Sequence, residues 1–228
     1  MTNDDKSLAW EEIRTEHIVQ DKWIDFRRSA YRFPDGREFE PFYSYSRRDY
    51  CVIVASDEDG NYLCVRQFRQ GIGEVTTEFP AGGIERSDGR EYIGRSHSRQ
   101  DSYSEQACLS DQNGHPGQAC YPERNEGSKT SAEDALTAAK RELLEETGYE
   151  SDEWTHMLTI PSNATIADNY AHLFIAKNCR KVAGQSLDET ECLNVTTHTA
   201  EEIDRLIFEG DFKQAMHVTA WLLSKNHE

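Results

Sequence analysis

The pattern of apolar and polar positions predicts a chain built mainly of strands with a few helices. Residues 50–55 form a continuous apolar run, which is typical of a strand buried on both faces. Residues 57–61 are a turn, and residues 62–68 return as the partner strand. The other predicted strands are 23–32, 38–45, 76–79, 155–160, 171–176 and 193–197, with a turn at 33–36 that makes a hairpin or small sheet near the N-terminus.

Helical periodicity begins at residue 131. Ser131 is the predicted N-cap and Gly148 the predicted C-terminal glycine. Leu136 and Leu143, seven residues apart, are expected to anchor this helix in the core. Residues 199–202 have the pattern of a capping box that opens a second helix, and 212–223 form a last one. Strands on both sides of one central helix predict a mixed α/β (α+β) sandwich.

Composition separates one segment from the rest. Residues 86–131 are rich in Ser, Gly, Gln, Asn and Asp and poor in aliphatic residues, which predicts a flexible insertion within a compact domain. A docking segment for another protein is an alternative interpretation. Within the insertion, Cys108, His115 and Cys120, with His97 upstream, match no standard zinc-finger spacing, so zinc is the less favoured interpretation.

The net charge of -17 argues against binding to nucleic acid or to an anionic membrane, because both need a basic surface. No apolar run reaches the length of a membrane span, and residues 1–12 lack a leader's apolar core, so we expect a cytoplasmic protein. Cys51 and Cys64 lie in strand-like runs and are expected to be buried free thiols.

Three glutamates dominate the central helix. Glu142, Glu145 and Glu146 are spaced i, i+3 and i+4, so their carboxylates crowd one face and repel each other. A solvated acidic face is the simpler interpretation of such a helix. However, clustered carboxylate oxygens on a rigid helix also match the ligand preference of Mg²⁺, which commonly shares its shell with substrate phosphates.

The residues around these glutamates resemble the Nudix box. That pattern is a glycine, five residues, Glu, seven residues, Arg-Glu, an aliphatic residue, any residue, Glu-Glu, any residue, Gly and an apolar residue. The box positions are filled by Glu133, Arg141, Glu142, Leu143, Glu145, Glu146, Gly148 and Tyr149, and Gly127 matches the first glycine by spacing. Residues 80–85 resemble the loop that leads into the family's catalytic helix, which indicates that the insertion interrupts the motif and that Gly82 is the functional glycine.

The resemblance implies a Nudix-type mixed-sheet α/β/α sandwich that binds two or three Mg²⁺ ions, with Mn²⁺ as an alternative. Glu142 and Glu146 would be ligands together with the Ala81 carbonyl, and Glu145 is a candidate further ligand and a candidate catalytic residue. Gly82 would let the backbone approach the metal and the phosphates closely. The ions would neutralise a pyrophosphate and lower the pKa of water.

Further segments resemble the ADP-sugar pyrophosphatase branch, namely residues 31–36, 63–69, 78–85, 171–176 and 188–191. This implies hydrolysis of a nucleoside-diphosphate sugar, with ADP-ribose giving AMP and ribose 5-phosphate as the leading candidate. Ala164 stands where the branch usually has proline, which leaves other sugar nucleotides open. The alternatives are a GDP-sugar or NADH pyrophosphatase, or a module that binds ADP-ribose without cleaving it.

The branch also assigns residues outside the box. Arg69 is the expected phosphate ligand, and Arg66 is the alternative on the other face of the strand. In the acidic segment 187–192, Glu189 is the first candidate for the catalytic base and Glu191 the second.

The N-terminal segment carries the remaining expectations. Phe33, like Tyr31 and Phe42, is a candidate to stack on the base, although packing is the simpler interpretation. The chain is predicted to divide into an N-terminal β arm, 1–47, that contributes to a homodimer, and a catalytic domain, 48–228.

Overall fold

The structure is a computed structural model, and it describes residues 7–85 and 133–227. The predictions made for the insertion 86–131, for Gly127 and for the Ser131 cap therefore lie outside the described residues. The described strands are β1 Glu11–Gln20, β2 Asp25–Arg32, β3 Glu38–Ser46, β4 Tyr50–Asp57, β5 Tyr62–Arg69, β6 Glu74–Glu78, β7 Ala81–Gly83, β8 Tyr149–Glu150, β9 Glu153–Pro161, β10 Tyr170–Lys181 and β11 Leu193–His198. The helices are α1 Ala135–Thr147, α2 Ala200–Glu209 and α3 Ala215–Ser224.

The first three strands form an antiparallel sheet of their own, in the order β1-β2-β3. The sequence predicted β2 and β3 but not β1, because almost every residue of β1 is exposed and so carries no alternation of buried and exposed positions. This sheet contacts the rest of the chain through polar groups: Arg27 is buried, and its guanidinium lies 3.3 Å from the carboxylate of Asp168, in the loop before β10.

The second sheet has eight strands and is mixed. β10 runs parallel to β4, and the other pairings are antiparallel. Successive residues of β4 enter two different cores: Val52 and Val54 pack with α2 and α3, whereas Cys51 and Ile53 pack beneath α1. Burial on both faces explains why this strand reads as a continuous apolar run. The predicted α/β/α sandwich is confirmed, as is the burial of Cys51 and of Cys64.

The boundaries of α1 differ from those predicted. Asp134 caps the helix by accepting the backbone N–H groups of Leu136 and Thr137, and Gly148 ends it in the left-handed conformation with φ of 76°. The prediction that Leu136 anchors the helix is wrong, since this side chain in the first turn remains 37% exposed. Leu143 is buried as expected, beside small residues, Ala138 and Ala139, that bring the helix close to the sheet.

The capping box of α2 is confirmed, with reciprocal hydrogen bonds between Thr199 and Glu202. Of the helices in residues 7–85 and 133–227, none combines the length and the apolar character that crossing a membrane requires.

Candidate active site

One helix brings the predicted metal ligands together. Glu142 and Glu146 lie one turn apart on α1, and both are buried. Glu145 lies between them in sequence, and its side chain is 39% exposed. The helix thus has two buried carboxylates and one that is partly exposed. An ordinary acidic helix face, the simpler interpretation of the sequence, would have all three in solvent.

The short strand β7 lies directly against these carboxylates. The backbone N–H of Ala81 donates to Oε2 of Glu146 at 3.0 Å. A β-carbon added to Gly82 would stand 1.9 Å from Cδ of Glu142, so no side chain fits at this position unless the carboxylate moves. β7 was predicted as a loop, and its pairing with β4 holds it in this position.

Arg141 connects the helix to β7. Its Nη1 group contacts Glu142 at 2.8 Å and Glu145 at 2.9 Å, and its Nη2 group donates to the Gly83 carbonyl at 3.0 Å. The same guanidinium contacts both carboxylate oxygens of Glu133, at 3.2 and 3.1 Å. Arg141 therefore offsets the repulsion between neighbouring glutamates and fixes the distance between α1 and β7.

The two inner carboxylates lie in an environment that disfavours their charge. Burial raises the pKa of Glu142 to about 7, with Arg141 opposing the shift and Glu145 and Glu191 adding to it. Burial also raises the pKa of Glu146 to about 8, and the negative charges of Glu142 and Glu191 contribute. Paired carboxylates with too little positive charge around them are a favourable environment for a cation.

The donor chemistry agrees with this electrostatic picture. Carboxylate oxygens and a nearby backbone strand offer hard oxygen ligands, and the nearby thiol of Cys51 is kept protonated by burial, which raises its pKa to about 12. This donor set fits Mg²⁺ or Mn²⁺ better than zinc. In the described ranges, no three His, Cys, Asp or Glu side chains already converge on one point. The carboxylates are instead engaged by Arg141 and by the Ala81 N–H group.

The two candidate arginines of β5 point to opposite sides. Arg69 makes a two-point contact with Glu78, and the negative charge of Glu146 acts on its guanidinium. Arg66 contacts Asp211 at 2.6 Å and Thr77 at 2.7 Å, on the other face of the strand. The structure thus brings Arg69 to the glutamates and places Arg66 against the segment between α2 and α3.

The residues directly before the acidic segment 187–192 contact the end of α1. Gln185 donates to the backbone carbonyl of Glu146 at 2.8 Å, and the Ser186 N–H group donates to that of Glu145, also at 2.8 Å. These bonds satisfy carbonyls that the last turn of a helix leaves unpaired. Beyond them, the charge of Glu191 acts on both Glu142 and Glu146. Glu189 lies at the tip of the same turn and is exposed. Which of the two glutamates is the catalytic base stays a prediction.

Phe33 belongs to an aromatic cluster on the N-terminal sheet. Its ring centroid lies 4.5 Å from that of Trp10 and 6.3 Å from that of Phe42. Tyr31 and Phe39 extend the cluster, Phe42 lies at its centre, and Trp10 is half-exposed. Trp10 precedes the predicted strands and was therefore not among the predicted site residues. A role for these rings in binding a base stays a prediction.

Two other residues near the site were also missed. Glu78 is fully buried at the end of β6, and His217 is buried on α3. Glu78 precedes the segment 79–83 and reads as an ordinary strand residue. His217 lies far away in the sequence, and only the helix packing brings it near β6.

No family model matches the chain. The chain is 24% identical over 203 residues to the ADP-ribose pyrophosphatase of Bacillus subtilis (strain 168). The aligned residues make up 89% of this chain and 85% of that protein. The chain is 31% identical over 204 residues to the methanol dehydrogenase activator of Bacillus methanolicus, a Nudix-like protein, over 86% of this chain and 82% of the relative.

A solved structure described as an ADP compounds hydrolase superposes with a TM-score of 0.64, at 16% identity, over 95% of this chain and 92% of that one. That likeness supports the fold. Together with the Nudix box on α1 and the 31% identity to a Nudix-like relative, these matches show that the chain belongs to the Nudix hydrolase superfamily, in the branch that contains the ADP-ribose pyrophosphatases.

Proposed function

We propose that this chain hydrolyses the pyrophosphate bond of a nucleoside-diphosphate sugar in a magnesium-dependent reaction, with ADP-ribose as the leading substrate. The observation that carries the proposal is the pair of buried carboxylates, Glu142 and Glu146, held against the glycine strand β7. The printed names of a relative and of a structural neighbour, an ADP-ribose pyrophosphatase and an ADP compounds hydrolase, support the substrate class.

Glu142, Glu146, Glu145 and the Ala81 carbonyl would hold the metal. Bound Mg²⁺, or Mn²⁺ in its place, would neutralise part of the pyrophosphate charge and acidify water. This resolves the conflict between an anionic substrate and a protein with a net charge of -17. Gly82 contributes by leaving room for the Glu142 carboxylate beside the backbone.

The remaining steps belong to the side chains. Arg69 orients a phosphate group and stabilises the negative charge that develops on it. Glu191 accepts a proton from the attacking water, whose oxygen bonds to one phosphorus while the bridging oxygen leaves with the other phosphate. With ADP-ribose the products are AMP and ribose 5-phosphate. Because Glu191 lies on an exposed turn, closure of this segment over the substrate would bring its carboxylate to the water.

The N-terminal arm, residues 1–47, is proposed to form a homodimer interface. Its sheet and the residues next to it expose several large apolar side chains, which is typical of a surface covered by a partner. They are Leu8, Trp10, Ile13, Ile18, Val19, Trp23, Phe39 and Tyr43. Light scattering after gel filtration tests this: a mass near 52 kDa, twice the chain's 26.2 kDa, is expected, and 26.2 kDa would contradict it. We also propose a cytoplasmic location, supported by the free thiols of Cys51, Cys64, Cys179 and Cys192.

The decisive experiment is a substrate panel. The purified chain is incubated with ADP-ribose, a GDP-sugar and NADH, each with Mg²⁺, with Mn²⁺ or with EDTA, and the products are separated by chromatography. AMP and ribose 5-phosphate from ADP-ribose, formed only with metal, are expected. Cleavage of another compound in preference would reassign the substrate, whereas calorimetric binding of intact ADP-ribose without cleavage would indicate a binding module.

A further inference from the structure

Glu78 is a buried carboxylate that the proposed reaction leaves without a role. None of its surface is exposed, and it ends β6, directly before the segment that leads into β7. Its two oxygens accept from Nε of Arg69 at 2.9 and 3.1 Å, Oε2 also accepts from Nη2, and the Thr76 hydroxyl donates to Oε1. A carboxylate is buried in this way only when it is paired, so the contact with Arg69 is a structural requirement of Glu78.

The same contact determines how Arg69 is presented. Glu78 occupies the Nε and Nη2 edge of the guanidinium, and no bond of the Nη1 group is found among the described residues. The side chain of Arg69 is 32% exposed, while the charge of Glu146 acts on it from the site. Because Glu78 is fully buried, the guanidinium edge that it binds faces the core. The remaining donors of Arg69 are then accessible to a phosphate beside the glutamates.

His217 supports Glu78 from the C-terminal helix. Its Nδ1 atom accepts the backbone N–H of Phe79 at 3.2 Å, so the ring proton resides on Nε2. Burial lowers the pKa of His217 to about 4, and the ring is therefore neutral near pH 7. Nε2 lies 3.9 Å from Oε2 of Glu78, too far for a hydrogen bond, so the ring acts by filling the space behind the carboxylate and by fixing the backbone at residue 79.

We propose that Glu78, supported by His217, is a positioning residue that holds the guanidinium of Arg69 in place for the substrate phosphate. The proposal rests on the proposed function, in which Arg69 binds the pyrophosphate. It means that a residue of α3, distant in sequence from the Nudix box, helps to set the geometry of phosphate binding.

The hairpin β5-β6 offers a matched control. Arg66 and Asp211 form a second arginine–carboxylate pair, at 2.6 Å, on the opposite face of β5, and both side chains are about one-third exposed. Asp211→Asn removes the carboxylate charge there as Glu78→Gln does beside Arg69. Any effect that stems only from losing a carboxylate next to this hairpin would occur in both variants.

The kinetic test measures kcat and KM with the substrate cleaved best by the wild type. Glu78→Gln is expected to lower kcat/KM by about 10- to 100-fold, the range for loss of a charge-assisted hydrogen bond. In an Arg69→Ala background the same change is expected to have less than about a twofold effect, because its target is gone. Equal losses in both backgrounds, or wild-type kcat/KM in Glu78→Gln, would overturn the proposal. Asp211→Asn should stay within about twofold of the wild type.

A second readout does not require turnover. In ¹H–¹⁵N spectra recorded with Mg²⁺, the Arg69 Nε–H signal should be protected from exchange with water, and inorganic pyrophosphate should shift it. In Glu78→Gln the protection and the shift should both be lost. A shift of wild-type size in that variant would contradict a positioning role. If Glu78→Gln does not fold, Glu78→Asp replaces it in both tests, because aspartate keeps the charge but is one methylene shorter.

The two proposals fail in different ways. A wild-type chain that cleaves no substrate in the panel removes the proposed function, and the spectroscopic test then decides whether Glu78 positions Arg69 for an anion. A wild-type chain that cleaves its substrate while Glu78→Gln behaves like Asp211→Asn removes the positioning role alone.

Discussion

The carboxylate of Glu142 occupies the space that a side chain on Gly82 would need. A β-carbon at Gly82 would lie 1.9 Å from Cδ of Glu142 and about as close to both of its oxygens, at 2.1 and 2.2 Å. The helix and β7 can approach each other this closely only because residue 82 has no side chain. This contact joins the two halves of the motif that the insertion separates in the sequence.

Gly82→Ala should therefore impair activity more than folding. The added methyl group forces the Glu142 carboxylate away from its position, and we expect kcat/KM to fall by about 100-fold or more, with a small change in melting temperature. Gly71→Ala is the control, since a β-carbon there meets nothing within 4 Å and φ is not in the left-handed region. Similar activities of the two variants would contradict the importance of the close approach.

Replacing Glu146 with Gln should abolish most activity without unfolding the chain. Because burial raises the pKa of Glu146 to about 8, the neutral amide should be at least as stable as the wild type in EDTA. Saturating Mg²⁺ is expected to stabilise the wild type by about 1–3 kcal/mol and the variant by much less. Thermal denaturation with and without metal measures the difference. Equal stabilisation of both proteins would remove Glu146 from the proposed ligands.

Arg141→Lys tests the connection between α1 and β7. A lysine has no planar fork, so it cannot contact Glu133, Glu142 and the Gly83 carbonyl together. We expect a loss of roughly 2–4 kcal/mol in the free energy of unfolding in urea and a large loss of activity. Arg205→Lys is the control, because its ion pairs on α2 are exposed and long, at 3.9 and 4.0 Å. Equal free energies of unfolding for the two variants would contradict the role of Arg141 in holding α1 against β7.

The two candidate bases can be separated with a pair of variants. Glu191→Gln is expected to lower kcat by about 100- to 10,000-fold, the usual contribution of a general base. Glu189→Gln, two residues away on the same turn, should retain nearly full activity, because the charge of Glu191, and not that of Glu189, is among the main contributions to the raised pKa of Glu142 and Glu146. The reverse result would restore Glu189 as the base.

His217 should make the fold sensitive to acid. Its pKa is lowered from 6.5 to about 4 in the folded chain, so the unfolded chain binds a proton first as the pH falls. Stability is complete above about pH 6.5 and is lost progressively down to about pH 4, by roughly 3 kcal/mol in total. His217→Asn keeps an acceptor for the Phe79 N–H and should flatten this part of the stability curve. His227→Asn, at an exposed position, should leave it unchanged. Curves of the same slope for His217→Asn and the wild type would rule out this assignment.

The sequence predicted much of the fold because its local signals are strong. The apolar run at 50–55, the capping box at Thr199 and the glycine at 148 each depend on residues close together in the chain, and each was confirmed. The first strand was missed because its residues are exposed on both sides, and Leu136 was misassigned because helical periodicity indicates a face without saying how far the core extends along it.

For this protein, the sequence alone determined the family, through one helix with glutamates at the spacing of the Nudix box and a glycine-rich segment that packs against it. Only the tertiary structure showed which arginine lies near these glutamates, and the choice between the two loop glutamates stays a prediction. Arg66 and Arg69 are equivalent by composition, and the hairpin β5-β6 assigns them to opposite faces. His217 and Trp10 could not be selected in advance, because their contacts are with residues remote in the chain, and no local pattern records such contacts. Glu78 pairs with Arg69 in the same hairpin, but only the structure shows that its carboxylate is buried.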